Sequence, residues 1–169
     1  ANVNRQEQIN FQVPWEVAPQ SAVIIVVSNN GVLSGPVSVN LLAALPGVFT
    51  TDGTAGAILH GIGSALVTQA NPASVGETVV VFATGLGTVS NTPATGAAAG
   101  SNPTSQTPST PLVTIGGVPA AVNFSGLAPG FVGLYQLNVV IPANAPSGSQ
   151  DLVIQVGSQA SRPVKIAIR

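Results

Sequence analysis

The chain has 169 residues, enough for one large domain or two small ones, and 45% of them are hydrophobic, so a core can form. Only 5% are charged, against roughly 25% in an average soluble domain, and the net charge is −1. Arg162, Lys165 and Arg169 are the only clustered bases, too few to neutralise nucleic-acid phosphates or to hold a polybasic segment on lipid, and the absence of cysteine excludes disulfides, thiolate metal sites and thiol nucleophiles.

Apolar runs of period two recur along the chain, separated by Gly, Pro and Asn, and predict strands. Ile9, Phe11 and Val13 alternate first. Ala22 to Ser28 is a continuous run rich in Val and Ile, and Val37, Val39 and Leu41 alternate after it. Residues 57–60 and 65–68 flank Gly61-Ile62-Gly63-Ser64 as a hairpin. Thr78 to Thr84 reads as a buried strand. Leu112 to Ile115 and Val118 to Phe124 flank Gly116-Gly117. Ala128 to Gly133 forms a tight turn expected to tuck Phe131 inward. Tyr135 to Ile141, Asp151 to Val156 and Pro163 to Ile168 complete the series. No long run keeps a 3.6 period with caps, so no helix is predicted.

The uncharged stretch Val17 to Thr51 is interrupted by Pro19, Asn29, Asn30, Gly31, Pro36, Asn40 and Pro46, so no membrane-spanning helix is expected. The aromatics, 4% of the chain, cannot supply the girdles of a membrane barrel. The chain begins Ala-Asn-Val-Asn with neither a basic nor an apolar leader, which predicts a mature product or a trimmed piece.

An internal repeat organises the rest. Gln8-Ile9-Asn10-Phe11-Gln12-Val13-Pro14 matches Gln136-Leu137-Asn138-Val139-Val140-Ile141-Pro142. After a one-residue slip Pro19 matches Pro146, Ile25 and Val27 match Leu152 and Ile154, and Pro36-Val37-Ser38-Val39 matches Pro163-Val164-Lys165-Ile166. About sixty residues with four strands precede the second copy, but only seven residues precede the first. The expected fold is therefore all-β, with two immunoglobulin-like sandwich lobes. Residues 1–70 form an incomplete lobe with a connecting hairpin, and residues 71–169 a complete sandwich.

A half-sandwich exposes an apolar face and unpaired edges, and unpaired edges are templates for another chain. Three arrangements would relieve this: a fragment of a longer protein, residues 43–71 folding back, or strands supplied by another subunit. The third predicts a head-to-tail polymer, because a heterologous contact that does not close runs on. Its candidate assembly residues are Ile9, Phe11, Val13, Val37, Val39 and Leu41. A surface this poor in charge also promotes association, unless Ser, Thr and Asn or attached sugars cover it. Residues 88–111, nearly all Ser, Thr, Asn, Pro, Gly, Ala and Gln, read as a long loop and a candidate region for O-linked glycans. The sequon Asn123-Phe124-Ser125 falls in a predicted strand, a poor place for a sugar.

No chemistry-bearing constellation is visible. His60 is the only histidine, and Asp52 is the acid that a serine-type triad would borrow, without support from spacing. Glu7, Glu16, Asp52, Glu77 and Asp151 are scattered singly, so neither paired acid–base work nor a calcium cage is expected. Gly85-Leu86-Gly87 opens no helix and reads as a strand-to-turn pair. No cofactor and no catalytic residue is assigned. Trp15 is the candidate binding aromatic, as a sugar platform or an interface anchor.

Four stretches carry a family resemblance: Gln8 to Glu16, Pro46 to Thr50, Val80 to Gly87 and Gly126 to Gln136. They resemble the uncharacterised Solibacter-type C-terminal domain found at the ends of large secreted acidobacterial proteins. The second lobe is similar, more loosely, to transcription-factor-type immunoglobulin-like modules of extracellular bacterial proteins. The resemblance implies export to the extracellular space or cell surface and supplies no activity. The expected function is a non-enzymatic structural subunit of a surface fibre, assembled by strand complementation. The alternative is an adhesion or carbohydrate-binding accessory module.

Overall fold

The computed structural model describes residues 9–18 and 20–169. Gln8 and Pro19, both part of the repeat, lie outside the described residues. A single 3-10 turn, Trp15–Val17, is the only helical element among them. In chain order the strands are β1 (Ala22–Ile25), β2 (Ser28–Asn29), β3 (Val32–Leu33), β4 (Val37–Asn40), β5 (Gly47–Val48), β6 (Ile58–His60), β7 (Thr78–Thr84), β8 (Leu112–Ile115), β9 (Val118–Ala120), β10 (Val122–Leu127), β11 (Tyr135–Val140), β12 (Gly148–Val156), β13 (Gln159–Ala160) and β14 (Val164–Ile168).

Two five-stranded sheets make a sandwich. In one, β10, β11 and β7 lie side by side, and β5 and β6 share the far edge of β7. In the other, β9, β8 and β12 lie side by side, and β13 and β14 share the far edge of β12. Every ladder between these strands is antiparallel, so one face of each can be apolar and the other polar. The alternation does this. Val79, Val81 and Ala83 of β7 and Leu137 and Val139 of β11 meet Val113 and Ile115 of β8, Leu152 and Ile154 of β12 and Ile166 of β14 in one buried core. Fully burying each such side chain is worth about 1.5–3 kcal/mol.

The hairpin expected around residues 61–64 is present, with Leu59 opposite Leu66 and the His60 N–H donating to the Ala65 carbonyl at 2.8 Å. β5 and β6 lie before the division at residue 70 suggested by the repeat, yet both pair with β7 of the larger unit. The segment around residues 54–73 is likewise spent on that unit. Ala55 and Ala73 form parallel bridges to Lys165 and Ile168 along the outer side of β14.

Loop segments close most sandwich edges. Residues 105–107 line the outer side of β10, where the Leu127 N–H donates to the Ser105 carbonyl and the Thr107 N–H to the Ser125 carbonyl. Gly126 permits this approach, because a Cβ there would sit 2.1 Å from the Ser105 oxygen. The long loop 88–111 is therefore packed down, with Val89, Ala99 and Ser105 buried. The remaining edge stretches among the described residues are β5 and β13, two residues long each, residues 122–124 of β10, and β9, which carries Pro119. Short strands and edge prolines both discourage further pairing.

Two expectations are corrected. Residues 9–14 form no strand; the Gln12 side chain instead accepts a hydrogen bond from the Gly96 N–H at 2.8 Å and ties the segment to the loop 88–111. Phe131 does not tuck inward. The turn closes by Ala128 N–H to Leu134 and Phe131 N–H to Ala128, which throws the Phe131 ring out, and Tyr135 takes the buried place.

Candidate assembly surface

β1 pairs with β4 and β2 with β3, and among the described residues neither pair joins any other strand. Together they make one ribbon, residues 21–41, turning at Asn30-Gly31, where both residues have positive φ as a tight hairpin of this hand requires. The ribbon repeats the hairpin of β12, β13 and β14 pair for pair. Ala22↔Asn40, Val23↔Val39, Ile24↔Ser38 and Ile25↔Val37 correspond to Ser149↔Ala167, Gln150↔Ile166, Asp151↔Lys165 and Leu152↔Val164. Beyond a shared irregularity, Ser28↔Leu33 and Asn29↔Val32 correspond to Gln155↔Ala160 and Val156↔Gln159.

The irregularity itself is copied. The Val27 N–H donates to Ser34 Oγ at 2.9 Å, and Val27 accepts the Ser34 N–H at 2.8 Å. The Ile154 N–H donates to Ser161 Oγ at 3.0 Å, and Ile154 accepts the Ser161 N–H at 2.8 Å. Sequence reasoning did not find the two serines. Extending the Pro36/Pro163 match two residues back, at constant spacing, would have exposed them.

The two hairpins differ in cover. The second lies against the opposite sheet, with Leu152, Ile154, Val164, Ile166 and Ile168 buried, while β8 takes one side of it and residues 55 and 73 the other. In the first, Val37 is 58% exposed, Val27 and Val39 are open to solvent, and Ile25 and Leu41 are half-buried. The outer face differs as well. Asp151 and Lys165 form an ion pair at 2.7 Å across their strands, whereas Ile24, 71% exposed, and Ser38 hold those places in the ribbon. The ribbon is thus apolar on both faces and carries no charge. A shallow concavity of about 630 Å³ runs beside its base, lined by Val17, Gln20, Ala22, Val23, Ile24 and Ser38.

The arm before the ribbon repeats the contrast. Ile9, Phe11 and Val13 are all exposed, Phe11 by 62%, where their counterparts Leu137, Val139 and Ile141 are buried. All six candidate assembly residues therefore lie outside the fully buried core: Ile9, Phe11 and Val13 on the arm, Val37, Val39 and Leu41 on the ribbon.

The far end of the arm is latched to the sandwich. The Trp15 N–H donates to Thr95 Oγ1 at 3.1 Å, and the Thr95 hydroxyl donates to Glu16 Oε2 at 2.7 Å. That bond, helped by a backbone N–H, holds the Glu16 carboxyl below its usual range. The Trp15 ring packs against the core, half-buried, and its Nε1 and Gln12 Nε2 are buried without a hydrogen-bond partner among the described residues.

His60 Nδ1 lies 2.5 Å from Glu77 Oε1, and Nε2 faces the Asn71 carbonyl at 3.2 Å. Both ring nitrogens thus meet acceptors, and the ring ties β6 to the 71–77 turn. Glu77 Oε2 accepts the Ser74 N–H at 2.9 Å, and Asp52 accepts from the Thr54 and Ala55 N–H groups, well apart from His60. Among the described residues no three of His, Asp and Glu converge on a point that could hold a metal ion, and no helix is long and apolar enough to cross a membrane. Comparison of the chain with protein-family models, with curated proteins and with solved structures gives no match.

Proposed function

We propose that this chain is an extracellular structural protein, a subunit of a fibre or surface layer whose copies join by β-strand pairing through the N-terminal ribbon. One observation carries the reading: a ribbon without charge, apolar on both faces and, among the described residues, open on both edges, stands on a sandwich whose own free edges are short or carry a proline. Soluble proteins blunt such edges, and among the described residues the ribbon carries the longest stretch of strand left without cover. Strand addition along either edge would pair its open backbone groups and leave a further edge for the next copy. The extracellular setting rests on the resemblance to exported bacterial domains.

Sugar binding has no comparable support. The two aromatics with a polar handle are covered, Trp15 half-buried and Tyr135 5% exposed with its hydroxyl bonded to the Gly87 carbonyl, and the exposed rings are phenylalanines.

The test is electron microscopy with light scattering on the intact chain and on Val39→Lys. The intact chain should form regular assemblies. Val39→Lys should stay dispersed with an unchanged sandwich melting transition, since residue 39 lies outside the core. An intact chain that remains monomeric at every concentration, or a Val39→Lys chain that assembles as before, would sink the proposal.

A further inference from the structure

We infer that two copies of this chain join through the same strand edge, Ile24–Ser28 of one against Ile24–Ser28 of the other, about a twofold axis at Val26. The inference rests on the reading of the ribbon as the assembly surface and specifies its first contact.

The edge is identified by the repeat. Val27 spends its N–H on the Ser34 hydroxyl and its C=O on the Ser34 N–H, so the alternation of an antiparallel strand turns the N–H and C=O groups of Val26 and Ser28 to the open side. In the second hairpin the corresponding residues, Val153 and Gln155, lie opposite Thr114 and Leu112 of β8. The second copy shows what this edge accepts: an antiparallel strand in phase, inner side chains beside inner side chains, as Leu152 lies beside Ile115 and Ile154 beside Val113.

The occupant follows from what one chain can offer another. Each chain holds two hairpins of this kind and one set of covering strands, already used by the second. Among the described residues the sandwich of a second copy offers only the short outer edges of β5, β9, β13 and residues 122–124, and its open strand edge of matching length is its own ribbon. That edge suits itself, because residues 17–51 carry no charge and set no repulsion between identical segments.

Symmetry follows from size. Stacking ribbons by translation, β1 of one on β4 of the next, would repeat copies every two strands, about 10 Å. A sandwich of this length is about 35 Å across, so neighbours on one side would collide. A twofold axis across two β1 edges sets the strands antiparallel, places the turn of each ribbon at the base of the other, and sends the sandwiches to opposite ends. It yields a four-stranded sheet in which Ile25, Val27, Val37, Val39 and Leu41 of both copies share one face. The outer side of β4 remains free for further growth.

Because the chain has no cysteine, Val26→Cys carries a single thiol at the inferred axis. A short bismaleimide should link it to itself in high yield, while Val75→Cys, exposed on the sandwich, should not be linked. Val26→Pro removes the N–H that faces the neighbour and should weaken dimerisation by about tenfold or more, with the sandwich melting unchanged. If the intact chain assembles but Val26→Cys links no better than Val75→Cys, the symmetric contact is wrong and strand-mediated assembly survives. If the intact chain stays monomeric throughout, both fall.

Discussion

Ser34 and Ser161 offer one chemical change at two places that differ only in cover. Each hydroxyl accepts the N–H of the residue seven positions earlier, at 2.9 and 3.0 Å. Ile154 has no exposure, so in Ser161→Ala its N–H loses its partner where water cannot replace it, at a cost of about 1–3 kcal/mol. For a chain of this size that lowers the melting temperature by about 2–4 °C per kcal/mol. Val27 is open to solvent, so in Ser34→Ala water takes the place of the hydroxyl and the change should stay within about 0.5 kcal/mol. Urea unfolding followed by far-ultraviolet circular dichroism, on dilute monomer, measures both. In the assembled protein the asymmetry should shrink, because a neighbour then shields Val27. Equal costs in dilute monomer would show that the ribbon is covered within its own chain, and the argument for an open assembly surface would fail.

The remaining predictions concern the sandwich. Burial pushes the Tyr135 hydroxyl from 10.0 up to about 12, so the folded state favours the neutral phenol; stability is full below pH 10, falls between pH 10 and 12 by about 2 kcal/mol, and a flat Tyr135→Phe profile across that window is the check. The Ala55 and Thr54 N–H groups hold the Asp52 carboxyl below 3.8, so it supports its turn above that value and releases it as pH falls through the lower, folded one. The amide resonances of residues 54 and 55 should therefore titrate below pH 3.8, and a midpoint at or above it would contradict the geometry. Gly126→Ala should displace residues 105–107 and cost about 2–4 kcal/mol, with faster hydrogen exchange at the Thr107 and Leu127 amides. Unchanged exchange there would mean that this loop does not close the β10 edge.

Much of the sandwich was legible because its strands are long and their alternation has a single meaning. Thr78–Thr84 and Leu112–Ile115 coincide with the expected strands, and Tyr135–Val140 falls one residue short at its end. The pairing of β5 and β6 with β7 was not legible. Two- and three-residue strands leave almost no periodic signal, and their partner lies tens of residues away. The arm was misread for the opposite reason. Ile9, Phe11 and Val13 alternate as well as their buried counterparts do, but alternation records what a strand needs beside it and cannot supply the neighbour. Phe131 failed similarly: hydrophobicity argued for burial, while the hydrogen bonds of its turn decide where the ring points. His60 could be placed on a strand from sequence, but Glu77 and Asn71 reach it only through the fold.

The difference between the two hairpins bears on why one would be left open. Their backbones are equivalent down to the serine bond, so folding of the ribbon does not explain the change from Asp151 and Lys165 to Ile24 and Ser38. Nor does stability, since an ion pair as exposed as Asp151–Lys165 contributes about 1 kcal/mol at most. What such a pair does is keep a strand face from packing on another chain, and the second hairpin, whose edges are already occupied, has it. The first hairpin, with two free edges, has an isoleucine and a serine instead. Charge is missing at the place where a monomer would most need it.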